Sequence, residues 1–239
     1  MPGPPSITAL VPVYNEVETV EASIKTIRDF LASLPNPFEI LIIESGSTDG
    51  AAQACDSLAR QFPDVTVVHE GRRNGFGSAL KLGFAKATNE LICVIPVDLP
   101  YSLSILKEAL GQIASHDAVL SVRRDDDRSP FRKLQSQVYT VLCSMLLGLP
   151  ARSPNAAFKL YRRTLIQDLP ITANGWFIDT EIAYRLKERG SRVGTVAIDT
   201  LERQSGRSTV KASDSWVVLK QLLAFRKKLG HESKNRRIP

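Results

Sequence analysis

The chain has 239 residues, 43% apolar, 23% charged and 7% aromatic, a globular balance that excludes disorder, collagen and coiled coil. No apolar run approaches the ~20 residues of a membrane-spanning helix, the longest, Val138 to Leu149, being broken by Thr140, Ser144 and Gly148. The formal charge is +6, and residues 220–239 carry all of it, with seven cations (Lys220, Arg226, Lys227, Lys228, Lys234, Arg236, Arg237) against Glu232. A neutral body with a basic tail suits an anionic membrane surface, nucleic acid or plain solvent. Because the basic residues lack interleaved aromatics, a nucleic-acid role is not expected.

The opening Met-Pro-Gly-Pro-Pro-Ser has no basic region before an apolar stretch, so no secretory signal is expected. Cys55, Cys93 and Cys143 are an odd, widely spaced set in apolar surroundings. They read as reduced core residues, and the expectation is a cytoplasmic protein.

In chain order, the first half alternates apolar runs with amphipathic ones. Strands are predicted over 7–13, 38–43, 65–69, 91–95 and 118–122, all rich in Val, Ile and Leu. Helices are predicted between them over 17–34, 50–62, 76–87 and 102–114; Val20, Ile24, Ile27 and Leu31 mark the buried stripe of the first. This alternation implies right-handed βαβ units and a mostly parallel sheet with helices on both faces, an α/β fold. Beyond Val122 comes a charged loop, Arg123 to Pro130, then a helix over 131–147 and a strand over 156–161. A helix over 179–189, a strand over 192–198 and a last helix follow. Ser213 or Asp214 is expected to cap that helix and Gly230 to end it. With no repeats and no linker, 1–239 reads as one domain.

Ligands of open α/β sheets bind beyond the carboxyl ends of the strands, where the strand order reverses. Three such ends carry carboxylates here: Glu16 after the first strand, Glu44 and Asp49 after the second, and Asp98 after the fourth. Carboxylates accept hydrogen bonds from sugar hydroxyls but repel a diphosphate unless a divalent cation intervenes. The inferred ligand is a hydroxyl-rich nucleotide with Mg²⁺ or Mn²⁺. Asp49 precedes a helix start and reads as its cap.

Asn74-Gly75-Phe76-Gly77-Ser78-Ala79 with Gly83 invites a dinucleotide-binding reading. That fingerprint belongs after the first strand, however, and these glycines follow the third. They are expected to open a helix packed close to the sheet.

Pro12-Val13-Tyr14-Asn15-Glu16, the Gly-Ser-Thr-Asp-Gly turn at 46–50, the 74–79 segment and Asp98-Leu99 occur in an order and spacing that resembles family-2 glycosyltransferases. The likeness is strongest to the branch making polyprenyl-phosphate sugars, the dolichol-phosphate mannosyltransferase group. Ser121-Val122-Arg123, Phe131-Arg132-Lys133-Leu134, Phe158-Lys159-Leu160-Tyr161 and Arg203 ahead of Gly206-Arg207-Ser208 extend it over roughly residues 6–210. The resemblance implies a GT-A fold, a nucleotide-diphosphate-sugar donor, a divalent cation and inversion at the anomeric carbon. It divides the domain into a nucleotide-sugar-binding half (1–122), an acceptor half (123–212) and a basic C-terminal helix and tail (213–239).

By the same resemblance, Pro12, Tyr14, Glu16, Ile43, Glu44 and Val97 line the nucleotide-sugar site, and Asp98 holds metal and diphosphate. Arg123, Arg132 and Arg203 fall near the acceptor phosphate and donor diphosphate, where a planar guanidinium pairs bidentately with phosphate oxygens. Their competing reading is ion pairing with Asp125–Asp127. The catalytic set is Asp98, Arg123, Arg203 and Glu181, the last being the base a hydroxyl acceptor would require. Departures from the family pattern are Pro96 and Pro100, where polar metal-site residues are usual, and Ser45 and Ser153, where Asp is usual. His69, His116 and His231 lie outside the motifs.

Three readings stay open: transfer to a polyprenyl phosphate, transfer to a soluble hydroxyl acceptor, and a non-catalytic nucleotide-sugar binder. For a lipid acceptor, the helix over 131–147 and the apolar residues of the last helix (Trp216, Val217, Leu219, Leu222, Leu223, Phe225) are the segments expected at a membrane surface, making the chain peripheral on the cytoplasmic face.

Overall fold

The computed structural model describes residues 3–124, 130–150, 155–199 and 212–235, with backbone alone at 130–132, 212–216 and 230–235. Seven strands form one sheet in the order β3-β2-β1-β4-β6-β5-β7. They are β1 (Ile7–Val13), β2 (Phe38–Glu44), β3 (Val65–His69), β4 (Leu91–Val94), β5 (Ala118–Arg123), β6 (Lys159–Arg162) and β7 (Val193–Ile198). All pairings are parallel except those of β6, which is antiparallel to both β4 and β5. The carboxyl ends of the other six strands therefore share one edge. Because β6 runs the other way, it brings its first residue, Lys159, to that same edge, opposite Val94 and Leu120.

Eight helices complete the described chain: α1 (Val17–Ala32), α2 (Ala51–Gln61), α3 (Phe76–Lys86), α4 (Ile105–Ile113), α5 (Pro130–Leu147), α6 (Arg163–Gln167), α7 (Ile178–Glu188) and α8 (Ala212–Asn235). Alternate side chains of the central strands enter two cores. Ile7, Ala9 and Val11 of β1, Ile40 and Ile42 of β2, and Cys93 of β4 pack with α1, α2 and α4. Leu10, Leu41, Ile43, Ile92 and Val94 pack on the other face with α3, α6 and α7. Burial on both faces is why these strands read as continuous apolar runs rather than as alternation. A third cluster joins α5, α8 and Phe177. Cys55, Cys93 and Cys143 are all buried and free, as expected, and burial pushes the Cys55 thiol up to about 12.

Predicted boundaries hold to within a few residues, with three differences. The strand predicted from Ala156 begins at Lys159, because Phe158 N–H donates to the Ser121 hydroxyl (3.0 Å) instead of to a ladder carbonyl. A short helix, α6, follows it directly. Arg163 Nε pins its start to Asn89 O (2.8 Å) and Gln167 Nε2 its end to Phe84 O (2.7 Å), and five residues are too few for a readable period. The last helix starts at Ala212, ahead of both expected caps, and passes through Gly230 to Asn235. One interior glycine costs only about 1 kcal/mol in a helix.

The glycines at 75–83 do open a helix packed close to the sheet. A Cβ on Gly83 would overlap the Leu10 side chain.

Candidate active site

The strand order reverses between β1 and β4, each of which continues into a loop at the carboxyl edge. The β1 loop, Tyr14 to Glu16, is tied to the β2 loop. Asn15 adopts φ +53°, a left-handed conformation that Asn tolerates better than most residues. From there its side-chain Oδ1 accepts the Thr48 N–H (2.8 Å), while its own N–H donates to Ser47 Oγ (3.0 Å). Asp49 caps two helix starts, accepting Ala51 N–H at 2.9 Å for α2 and Val17 N–H at 3.0 Å for α1. The expected cap of α2 is thus also the cap of α1, and these bonds tie the two loops together. Gly46, at φ +70°, lets the β3 loop in as well; a Cβ there would lie 2.6 Å from Arg72 Cα.

The β3 loop also places the Arg73 guanidinium over the Tyr14 ring, 4.3 Å from its centroid. A cation thus sits on a rim otherwise lined by carboxylates, and neither Arg72 nor Arg73 belongs to the predicted site. Nothing in the sequence marks them beyond two adjacent cations before Asn74.

Glu44 is nearly fully buried beneath the turn. Its Oε1 accepts the Ser47 N–H (2.5 Å), and its Oε2 lies 3.0 Å from His69 Nδ1, whose Nε2 is 2.9 Å from Asp56 Oδ1. Burial alone raises the Glu44 carboxyl, but the hydrogen bonds from Ser47 and His69 bring it below the ordinary range. Hydrogen bonds to Glu44 and Asp56 raise His69 above its usual value of 6.5. Stability from a raised His is complete below the unfolded value and is lost as pH climbs through the folded one. His69→Gln is therefore expected to lower the melting temperature most near pH 6 and hardly at all near pH 9. A pH-independent difference in thermal melts would refute the pairing.

Beside the turn, Glu70 accepts hydroxyl hydrogen bonds from Ser45 (2.6 Å) and Ser78 (2.7 Å). Ser45, in place of the usual acid, is thus held by an acid from the loop after β3.

After β4, the chain turns sharply through Pro96-Val97-Asp98-Leu99-Pro100. Leu99 adopts φ +43° and its N–H donates to Pro96 O (3.1 Å). Val97 is buried, whereas Asp98 is partly exposed at the rim.

The loop before α7 packs against the start of α3. Glu181, 0% exposed, accepts Thr172 N–H (3.0 Å), Thr172 Oγ1–H (3.0 Å) and Ala173 N–H (2.7 Å). That loop meets the 75–78 segment so tightly that a Cβ on Gly77 would sit 2.7 Å from Ala173 O. Lys81 Nζ reaches Asn174 Oδ1 (2.5 Å), and Phe76 stacks on Trp176 at 4.6 Å. Below this stack, Lys159 Nζ lies 3.2 Å from Asp179 Oδ1, with both side chains more than nine-tenths buried. Burial raises the Asp179 carboxyl, and Lys159 partly offsets that rise.

Residues 8–170 match the family described as Glycosyl transferase family 2. The chain belongs to that family. Among its relatives, the glycosyltransferase AglD of Haloferax volcanii is 28% identical over 81% of this chain and 32% of its own length. The undecaprenyl-phosphate mannosyltransferase of Micrococcus luteus is 24% identical over 84% of this chain and 86% of its own. The chain thus spans about a third of the first relative and most of the second. The glucosyl-3-phosphoglycerate synthase of Mycobacterium tuberculosis, solved with Mn²⁺, UDP-glucose and phosphoglyceric acid, superposes with a TM-score of 0.74 at 19% identity, covering 93% of this chain and 80% of that one. The fold is GT-A, as expected.

Of the predicted site residues, Pro12, Tyr14, Glu16 and Asp98 lie partly exposed at the reversal point. Pro12 pairs in register with Ile43. The side chains of Ile43, Glu44 and Val97 are buried, so these three support the rim from beneath and do not line it. Arg123 is exposed at the end of β5, at the same edge as Asp98. Arg132 lies in the first turn of α5 with its side chain outside the description. Arg203, Asp125–Asp127 and Ser153 lie outside the described residues.

Glu181 is a correction. It is no exposed base but the post that holds the 172–173 loop, its oxygens already taken by three donors. Glu181→Gln, which keeps an acceptor for both N–H groups, is expected to retain activity within about tenfold, whereas Glu181→Ala orphans buried donors and loses about 2–4 kcal/mol. Turnover and urea melts check both, and a drop above a thousandfold in Glu181→Gln would restore the base assignment.

Proposed function

We propose that the chain transfers a sugar from a nucleotide-diphosphate-sugar to a polyprenyl phosphate. The observation that carries this reading is the burial of Glu181. A sugar hydroxyl needs a positioned base to become a nucleophile. A phosphate monoester, with its second pKa near 6, arrives already ionised. The acceptor's phosphate oxygen attacks the anomeric carbon and forms the new C–O bond, the bond from that carbon to the diphosphate breaks, and the diphosphate leaves with the electron pair. The configuration inverts. Catalysis is then positioning plus charge stabilisation.

Residues 1–122 supply the donor side. Tyr14 and Arg73 flank the nucleotide, and Pro12 and Glu16 complete its rim. Residues 123–212 supply the acceptor side, where Arg123, Arg132 and Arg203 are assigned to the phosphates. The relation to the undecaprenyl-phosphate mannosyltransferase, over most of both chains, supports this acceptor class.

Mg²⁺ or Mn²⁺ is assigned to Asp98. No cluster of three or more His, Cys, Asp or Glu able to hold a metal occurs among the described residues. The carboxylate set therefore fits an ion held by one side chain plus substrate phosphates and water, as Mg²⁺ is commonly held. When bound, the ion neutralises charge on the departing diphosphate.

The test is turnover of UDP- and GDP-sugars with Mg²⁺ or Mn²⁺, with and without a short, water-soluble polyprenyl phosphate. Product that depends on the prenyl phosphate supports the reading. Product with soluble hydroxyl acceptors alone, or donor binding without turnover of any acceptor, overturns it. The second of those outcomes is the one that Pro96 and Pro100 beside Asp98 would explain.

A further inference from the structure

Among the described residues, no helix is long and apolar enough to cross a membrane, yet a polyprenyl acceptor is a membrane lipid. The sequence points to two segments that could meet the bilayer, the helix over 131–147 and the apolar residues of the last helix. The structure separates them. Leu222, Phe225 and Leu229 of α8 are turned inward, packed with Cys143, Leu147 and Phe177, and Phe225 meets the rings of Phe177 and Tyr184 edge-on. Lys220, Arg226 and Lys227 are left facing solvent.

The opposite holds for α5. Its inner face (Tyr139, Leu142, Cys143, Leu146, Leu147) packs into the same cluster. Its outer face carries Leu134 at 58% exposure, Val138 at 51%, Val141 at 54% and Met145 at 77%. Steps of four, three and four residues place these on one stripe along about three turns of helix. Exposed large apolar residues scattered singly need no explanation, but four on one helix face do. On α8, which packs beside α5, Val217 and Leu223 are exposed as well.

We propose that the outer face of α5 is a bilayer-docking surface, inserted among the acyl chains of an anionic membrane while the cations of α8 engage its headgroups. The proposal rests on, and deepens, the polyprenyl-phosphate reading. The charge pattern selects this occupant. From Pro130 to Leu147, α5 contains no Asp or Glu, and Arg132 and Lys133 stand at its start; from Lys220 to Leu229, α8 has cations and no acid. Two copies meeting on this surface would bring like charges together, whereas an anionic leaflet attracts them. Insertion depth and strength follow the apolar area on such a face. Since α5 begins a few residues after Arg123, at the edge bearing the site, a docked α5 would hold that edge near the headgroups where a lipid phosphate lies.

The test is flotation of the full chain with vesicles of phosphatidylcholine alone or mixed with phosphatidylglycerol, with no donor or acceptor present. Failure here is thereby separate from failure of the transfer reaction, which the water-soluble acceptor reports. Replacing Leu134, Val138, Val141 and Met145 together by Gln is expected to lower partitioning about tenfold or more, with an unchanged melting temperature because all four are exposed. Lys220, Arg226 and Lys227 replaced by Gln should instead abolish the preference for phosphatidylglycerol. Met145→Cys labelled with an environment-sensitive fluorophore, specific because the three native cysteines are buried, should shift to the blue on vesicles. Wild-type protein that does not float, a stripe variant that floats as wild type, or a label blind to vesicles would overturn the proposal. So would a wild-type dimer that the stripe substitutions convert to monomer, since a second copy would then be the occupant.

Discussion

Asp98→Ala is expected to lower kcat for sugar transfer by about 10²- to 10⁴-fold, the range for removing a charge that acts directly on the reacting groups. The expectation follows from how little else the turn offers. Pro96 and Pro100 have no side-chain donor or acceptor, Val97 is buried, and Asp98 is the carboxylate that the stiff turn presents at the point of strand reversal. Asp98→Asn should fail almost as badly, because the amide keeps the shape and loses the charge. Both substitutions are at a partly exposed rim position, so their thermal melts should stay close to wild type. Donor titration separates the roles further: a diphosphate held through Asp98 loses affinity as well as turnover. Transfer at the wild-type rate by Asp98→Ala would remove this residue from the site altogether.

Lys159→Met is expected to cost about 3–5 kcal/mol of folding stability, the penalty for removing one partner of a buried ion pair. Lys159 stands on the only antiparallel strand among the described elements, with Asp179 3.2 Å away and the Phe76 ring 5.5 Å from its Nζ. Without the ammonium, Asp179 is left charged in a dry pocket or must take up a proton. Burial already raises this carboxyl and Lys159 opposes the rise, so the variant should raise it further. A folded-state value above the unfolded one contributes stability at low pH that disappears as pH rises. Lys159→Met should therefore be least destabilised near pH 4 and most at pH 8. Removing both charges, as in Lys159→Met with Asp179→Leu, should recover most of the loss, since a buried pair replaced by apolar groups is often neutral. Chemical denaturation across that pH range reads all three outcomes. A loss below about 1 kcal/mol in the single variant, with no pH dependence, would show the pair to be of no consequence.

Strands β1 to β5 were legible from the sequence nearly to the residue, because strands covered on both faces are spelled as unbroken apolar runs. So were the helices between them, from apolar residues three and four apart. The rim was half legible. Tyr14, Glu16 and Asp98 could be placed because a carboxyl-terminal strand end is recognisable in sequence and such ends converge in an open sheet. His69 could not, because its two partners, Glu44 and Asp56, are 25 and 13 residues away. The hold of Asp49 on α1 likewise spans 32 residues.

Local periodicity and strand-end chemistry were enough to determine an α/β chain with its polar residues gathered at one edge, and the ordered motifs pointed to the glycosyltransferase family that the matches then established. Direction, depth and facing were decided only by the tertiary structure. A four-residue strand reads the same whichever way it runs, so only the antiparallel placement of β6 carries Lys159 to the site edge. Whether Glu181 is a base or a post depends on the Thr172 and Ala173 N–H groups, whose positions no spacing reveals. An amphipathic helix specifies two faces but not which one the rest of the chain will cover. In α8 the packing took Leu222, Phe225 and Leu229 and left Val217 and Leu223 outside, and in α5 it took one apolar face and left a second open, because only one side of each helix can meet the other.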